Sequence, residues 1–249
     1  MITIAVTGKG GTGKTVVAGM LVRYFVSKGM TVLAIDADPD SNLADVLGVD
    51  VEKTVGDMRE FMLEKRDTMP PDSNKEAIFE AKIYEVMVEE EYDLLVMGRP
   101  DGPGCYCYVN NLLRGIMDRI MHNYDVVVID TSAGLEHISR KLIRDVDYVL
   151  VVADASKRGV KTAQRIRELS SKLDIGIGKL YLILNKVNES NKDTMMEEAE
   201  EIKIDVIGII PFDSQLAELD LKGEPIHTHL NSYEVVSQIA ERLINERNL

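Results

Sequence analysis

Tryptophan is absent from this chain of 249 residues, phenylalanine occurs four times and cysteine twice. With so few large rings, the core of a chain that is 45% hydrophobic must be built mainly from Val, Ile, Leu and Met. Two cysteines are too few for a disulfide framework and fit a reducing compartment. Positive charge is in deficit: 29 Lys and Arg stand against 42 Asp and Glu, a formal net charge of −13. That balance argues against broad binding to nucleic acid or to an anionic membrane, both of which attract basic surfaces. No apolar run approaches the roughly 18 residues that a membrane helix needs. The opening "MITIAVTGKG" has neither a basic leader nor a long apolar stretch, so no export signal is expected and a cytoplasmic location is. In the last stretch, "SYEVVSQIAERLINERNL", apolar residues recur at helical spacing, while Glu234, Glu241 and Glu246 offset Arg242 and Arg247. That pattern predicts a helix packed on the domain, since membrane-surface helices carry a basic polar face.

What is present is a set of short β-branched runs: 2–8, 31–36, 93–98, 125–130, 148–154, 179–185 and 205–211. Most are apolar throughout, as in strands buried on both faces of a parallel sheet. Helical patterns fall between them, over 14–28, 110–122, 159–173 and 232–246. The alternation predicts one α/β domain over residues 1–249, a doubly wound, mostly parallel sheet with helices on both faces. The Pro-rich, polar "RDTMPPDSNK" at 66–75 opens a stretch, about 66–91, expected to be an insertion within that domain.

"GKGGTGKT" at 8–15 follows the first strand and opens a helix, the setting in which a glycine-rich loop holds phosphates. Gly10, Gly11 and Gly13 allow the backbone to curl so that successive N–H groups converge. Lys14 is placed for the β- and γ-phosphates and Thr15 for Mg²⁺, at the positive end of the following helix. Lys9, Thr12 and Val16 complete the expected nucleotide-binding stretch. Two further strands end in aspartate, "AIDADPD" at 34–40 and "VVIDTSAG" at 127–134. Carboxylates there face the crevice in which α/β sheets bind ligands. Asp130 can hold Mg²⁺ through water, and the Gly134 N–H can face a γ-phosphate. Asp36 and Asp38 can serve the same site or cap a turn.

The second loop lysine, Lys9, makes "KGGTGKT" resemble the deviant phosphate loop of the MinD/ParA/nitrogenase-iron-protein ATPases. The resemblance implies a MinD-like P-loop fold and an ATPase that binds ATP, ADP and Mg²⁺ in face-to-face dimers, with Lys9 reaching the partner's nucleotide. It implies that Asp38 orients the attacking water beside Lys14, and that Asp36 lies near the metal with Thr15 and Asp130. It also implies that Asn185, in "ILNKV", and the turn Pro211, Phe212 and Asp213 contact adenine. "NKV" lacks the aspartate that completes a guanine motif, which disfavours GTP.

Both cysteines, Cys105 and Cys107, lie one residue apart within a loop expected over 99–109. A thiolate pair selects a soft or borderline metal such as Ni²⁺ or Zn²⁺, but supplies only half of a four-coordinate shell. Two copies related by a two-fold axis would supply four sulfurs. The loop "RPDGPGCYCYVNNLLRG" and the segment "DTSAGLEHISR" resemble the CooC-type ATPases, accessory factors for nickel insertion into carbon monoxide dehydrogenase. The resemblance implies a homodimer that serves a nickel enzyme, and the acidic balance and the tail pattern lead to the expectation of neither nucleic acid nor membrane as a partner. A related maturation ATPase serves acetyl-CoA synthase, and the residues do not separate the two clients. A ParA/MinD-type positioning ATPase shares the nucleotide motifs but leaves Cys-x-Cys unexplained. In the nitrogenase iron protein, which holds a [4Fe–4S] cluster, the paired cysteines are far apart in sequence. His227 and His229 in "PIHTHL" lack an evident third ligand and read as an exposed loop.

Overall fold

The computed structural model describes residues 1–65, 74–99, 107–132, 145–170 and 176–247. Eight strands form one sheet: β1 (Ile2–Gly8), β2 (Val32–Asp36), β3 (Val88–Glu89), β4 (Asp93–Val96), β5 (Val126–Asp130), β6 (Asp145–Asp154), β7 (Gly176–Val187) and β8 (Val206–Pro211). Their order is β3-β4-β2-β5-β1-β6-β7-β8, with β3 antiparallel to β4 and every other pairing parallel. Strands β1, β2 and β5 are buried along their whole length. Residues of both side-chain orientations are therefore under cover, which explains the uninterrupted apolar runs.

Helices cover both faces. On one lie α1 (Lys14–Ser27), α2 (Leu43–Leu47) and α9 (Asn231–Arg247). On the other lie α3 (Val55–Lys65), α4 (Lys75–Val86), α5 (Cys107–Met121), α6 (Lys157–Ser170) and α7 (Lys192–Glu201). A further helix, α8 (Ser214–Lys222), buries none of its residues. The two cores are aliphatic with methionine, and Phe25 and Phe79 are the only fully buried phenylalanines among the described residues.

Each expected strand and helix is present with its described ends within a few residues of expectation, and residues 171–173 of the helix expected over 159–173 lie outside the described residues. The expected tail helix is α9. It buries Val236, Ile239, Ala240 and Leu243 and packs against α1 and β8. Gly208 on β8 makes that approach possible, because a β-carbon there would sit 2.4 Å from the Ile239 Cδ1 atom. Within 66–91, residues 66–73 lie outside the described part, but the rest is ordered into the domain. Asn74 caps α4 by accepting from the Ala77 N–H at 3.1 Å. Phe79 and Ile83 are fully buried in the same core as β2 and β5.

Among the described residues no helix is long and apolar enough to cross a membrane.

Candidate functional site

The strand order brings the C-terminal ends of β1, β2 and β5 side by side. Val6 is in register with Asp130, and Asp130 with Asp36. The chain leaves β1 towards β2 on one side while β6 pairs on the other, so a crevice opens above β1. Residues 8–15 fill its floor.

Gly13 is the N-cap of α1 in left-handed conformation, φ +88°, and Gly11 has φ +80°. A side chain at residue 13 would be strained, and its β-carbon would lie 2.5 Å from the Asn185 Nδ2 atom. No side chain caps α1, and its first turn holds no acidic residue, so its positive end is left for an anion. The Thr12 hydroxyl donates to the Lys9 carbonyl at 2.8 Å and ties the loop's entry to its middle. Lys9 and Gly10 are exposed.

Lys14 is buried, and its ammonium pairs with Asp38 Oδ2 at 2.9 Å. Asp36 is fully buried, and both its oxygens accept backbone N–H groups, Oδ1 from Asp38 at 3.1 Å and Oδ2 from Leu43 at 2.9 Å. It therefore shapes the turn that presents Asp38. Burial pushes the Asp36 carboxyl up to about 6 against the pull of those N–H groups.

Asp130 is fully buried with neither oxygen in good hydrogen-bond geometry to any described residue. Burial pushes its carboxyl up to about 7, although the neighbouring Thr15 hydroxyl pulls it down, and Asp36 and Asp38 add to the rise. An orphaned buried carboxylate is costly unless a cation completes it. Among the described residues no group of three or more His, Cys, Asp or Glu is placed to hold a metal unaided. Thr15, Asp130 and Asp36 fit Mg²⁺ in its usual setting, one or two carboxylates with phosphate oxygens making up the shell.

Beside the loop lie the C-terminal ends of β7 and β8. The Asn185 amide is turned into the phosphate loop, donating to the Thr12 carbonyl at 2.7 Å while its oxygen accepts the Lys186 N–H at 2.8 Å. Lys186, which sequence reading did not single out, donates to the Gly11 carbonyl at 3.0 Å. The only sequence signal for it was the Asn-Lys pair itself. Asp213 is the N-cap of α8, accepting from the N–H groups of Gln215 and Leu216 and from the N–H and hydroxyl of Ser232. Those bonds hold its carboxyl below the usual range against its burial. Pro211 and Phe212 are exposed beside it, Phe212 by 55%.

Gly134 and Cys105 lie outside the described residues. Cys107 is the first residue of α5.

Residues 3–226 match the CobQ/CobB/MinD/ParA nucleotide binding domain. An uncharacterized ATP-binding protein of Methanocaldococcus jannaschii is 46% identical over 98% of this chain and 99% of its own. The carbon monoxide dehydrogenase accessory protein CooC of Rhodospirillum rubrum is 33% identical over 88% of this chain and 87% of its own. Among solved structures, the MinD cell division protein of Aquifex aeolicus superposes with a TM-score of 0.72 at 21% identity, covering 98% of this chain and 96% of that one. The septum site-determining protein MinD of Pyrococcus horikoshii, complexed with Mg-ADP, also gives 0.72, at 22% identity over 99% and 98%. The fold is thus MinD-like, and the chain belongs to the CobQ/CobB/MinD/ParA nucleotide-binding domain family.

Proposed function

We propose that this chain is an ATP-hydrolysing accessory factor that delivers nickel to a metalloenzyme, with carbon monoxide dehydrogenase as the client. The catalytic part is carried by one observation: Lys14 and Asp38 are paired beside two buried strand-end carboxylates at an uncapped helix N-terminus. The nickel part is supported by Cys105-x-Cys107 in a chain one-third identical to CooC. Lys14 holds Asp38 at 2.9 Å. Entering phosphates compete for Lys14, and Asp38 is released to orient the attacking water. Thr15, Asp130 and Asp36 would hold Mg²⁺, which offsets charge on the phosphates. Lys9 reaches the nucleotide of a second copy, and the Gly134 N–H faces the γ-phosphate. Asn185 and the turn at Pro211, Phe212 and Asp213 border an adenine base. ATP closes the homodimer and brings four thiolates together, and release of phosphate reopens it.

The test is ATP binding and turnover by the purified protein. Lys14→Ala should abolish binding. Asp38→Ala should bind ATP at least as tightly as wild type, because Lys14 loses its internal partner, and turn it over about 100-fold more slowly. Turnover at the wild-type rate in Asp38→Ala removes that residue from the chemistry. Activation of nickel-free carbon monoxide dehydrogenase by nickel, with and without the protein and ATP, tests the client.

A further inference from the structure

Strand β7 pairs with β8 in parallel, but the register slips between Leu184 and Val187. Asn185 and Lys186 occupy that slip. Three non-glycine residues among those described have positive φ: Ser41, Lys186 and Lys203. Ser41 follows the Asp38 turn and Lys203 the end of α7, both places where the chain must reverse. Lys186, at φ +59°, lies inside a strand that continues to Val187. A left-handed lysine within a strand is strained, and such strain persists where the surroundings demand it. A bulge next to a functional loop re-aims side chains.

Here it aims two consecutive side chains at two consecutive carbonyls. Asn185 Nδ2 donates to the Thr12 carbonyl at 2.7 Å and Lys186 Nζ to the Gly11 carbonyl at 3.0 Å. The peptide unit is planar, so fixing a carbonyl fixes the N–H across from it. Asn185 thereby sets the plane carrying the Gly13 N–H, and Lys186 the plane carrying the Thr12 N–H. The internal bond of that second plane is long, from the Thr12 N–H to the Lys9 carbonyl at 3.3 Å, so the loop's own turn holds it weakly. The lysine bond is charge-assisted and stronger than a neutral one.

We infer that Lys186 is a positioning residue: its ammonium braces the phosphate loop from outside and keeps the loop's peptides arranged for phosphate without touching the nucleotide. The inference rests on nucleotide binding at this loop, as proposed above. The left-handed backbone at residue 186 accompanies the reach of its side chain to the Gly11 carbonyl.

The experiment compares wild type with Lys186→Met, Lys186→Gly and Lys186→Arg. Affinity and dissociation rate are read with a fluorescent ADP analogue and Mg²⁺, KM and kcat with ATP, and melting temperature without nucleotide. Lys186→Met removes the charge, and Lys186→Gly relaxes the backbone while also removing the ammonium. Both should weaken binding about tenfold, mainly by faster dissociation. KM for ATP should rise in step with little change in kcat; the nucleotide-free melting temperature should hold in Lys186→Met, whose side chain is exposed, and should hold or rise in Lys186→Gly, where the backbone strain is relieved. Lys186→Arg, which keeps a cationic donor, should restore most of the affinity. Wild-type affinity in Lys186→Met, or in Lys186→Gly, overturns the inference while leaving the proposed function standing. A wild-type protein that binds no nucleotide overturns both, so the two failures are told apart.

Discussion

Asp130 is buried beside the buried Asp36, and neither of its oxygens has a partner in good hydrogen-bond geometry among the described residues. Its carboxyl is pushed up to about 7 and that of Asp36 to about 6. Between the unfolded value near 4 and these raised values, the folded chain holds protons that the unfolded chain has released. Stability without metal therefore falls as pH rises through that window. Asp130→Asn should raise the melting temperature of the nucleotide-free protein at pH 8 and change it little at pH 5, where the native carboxyl is already protonated. The same variant should weaken Mg²⁺-dependent nucleotide binding. Thermal melts at the two pH values check this, and an Asn variant less stable at pH 8 contradicts it. Asp36 and Asp130 were legible in the sequence because each ends an apolar run, with Asp38 two residues beyond the first, and strand ends point into the ligand crevice. That Asp36 has both oxygens engaged by Asp38 and Leu43 N–H groups was not legible, since it depends on the path of residues 38–43. Lys186 was hidden for a like reason, as its role depends on a slip in strand register.

At the scale of elements, continuous β-branched runs placed the central strands, and the apolar spacing of α9 anticipated its docking against β8. The short β3, and α2, α3, α4, α7 and α8, were not anticipated. In α4 the signal exists: Phe79, Ile83 and Val86 follow i, i+4, i+7 spacing, and all are buried. Met69-Pro70-Pro71 just before it draws attention to loop chemistry instead. Because Ile83 is fully buried in the core shared with β2 and β5, α4 contributes to the stability of the whole domain. Ile83→Ala should cost about 2–4 kcal/mol in chemical denaturation, through lost apolar contact and the cavity left behind. A cost below about 0.5 kcal/mol, the size of an ordinary surface change, would mean that this segment is dispensable.

The whole molecule is acidic, with a net charge of −13, and its nucleotide loop leaves Lys9 exposed at the mouth of the crevice. In the proposed function a second copy is needed twice over: to receive Lys9, and to complete a metal shell that Cys105 and Cys107 can only half fill. Metal should bind only the dimer and so favour it by mass action, and binding should strengthen as pH rises through the thiol range, roughly 7 to 9. The most direct test is titration of the reduced protein with Ni²⁺ or Zn²⁺, followed by sedimentation to read mass and stoichiometry together. One metal ion per two chains is expected, with a shift from monomer to dimer, and loss of both when Cys105 and Cys107 are replaced by serine, with ATP binding retained. One metal ion per chain on a species that stays monomeric, or unchanged binding in the serine variant, would contradict it.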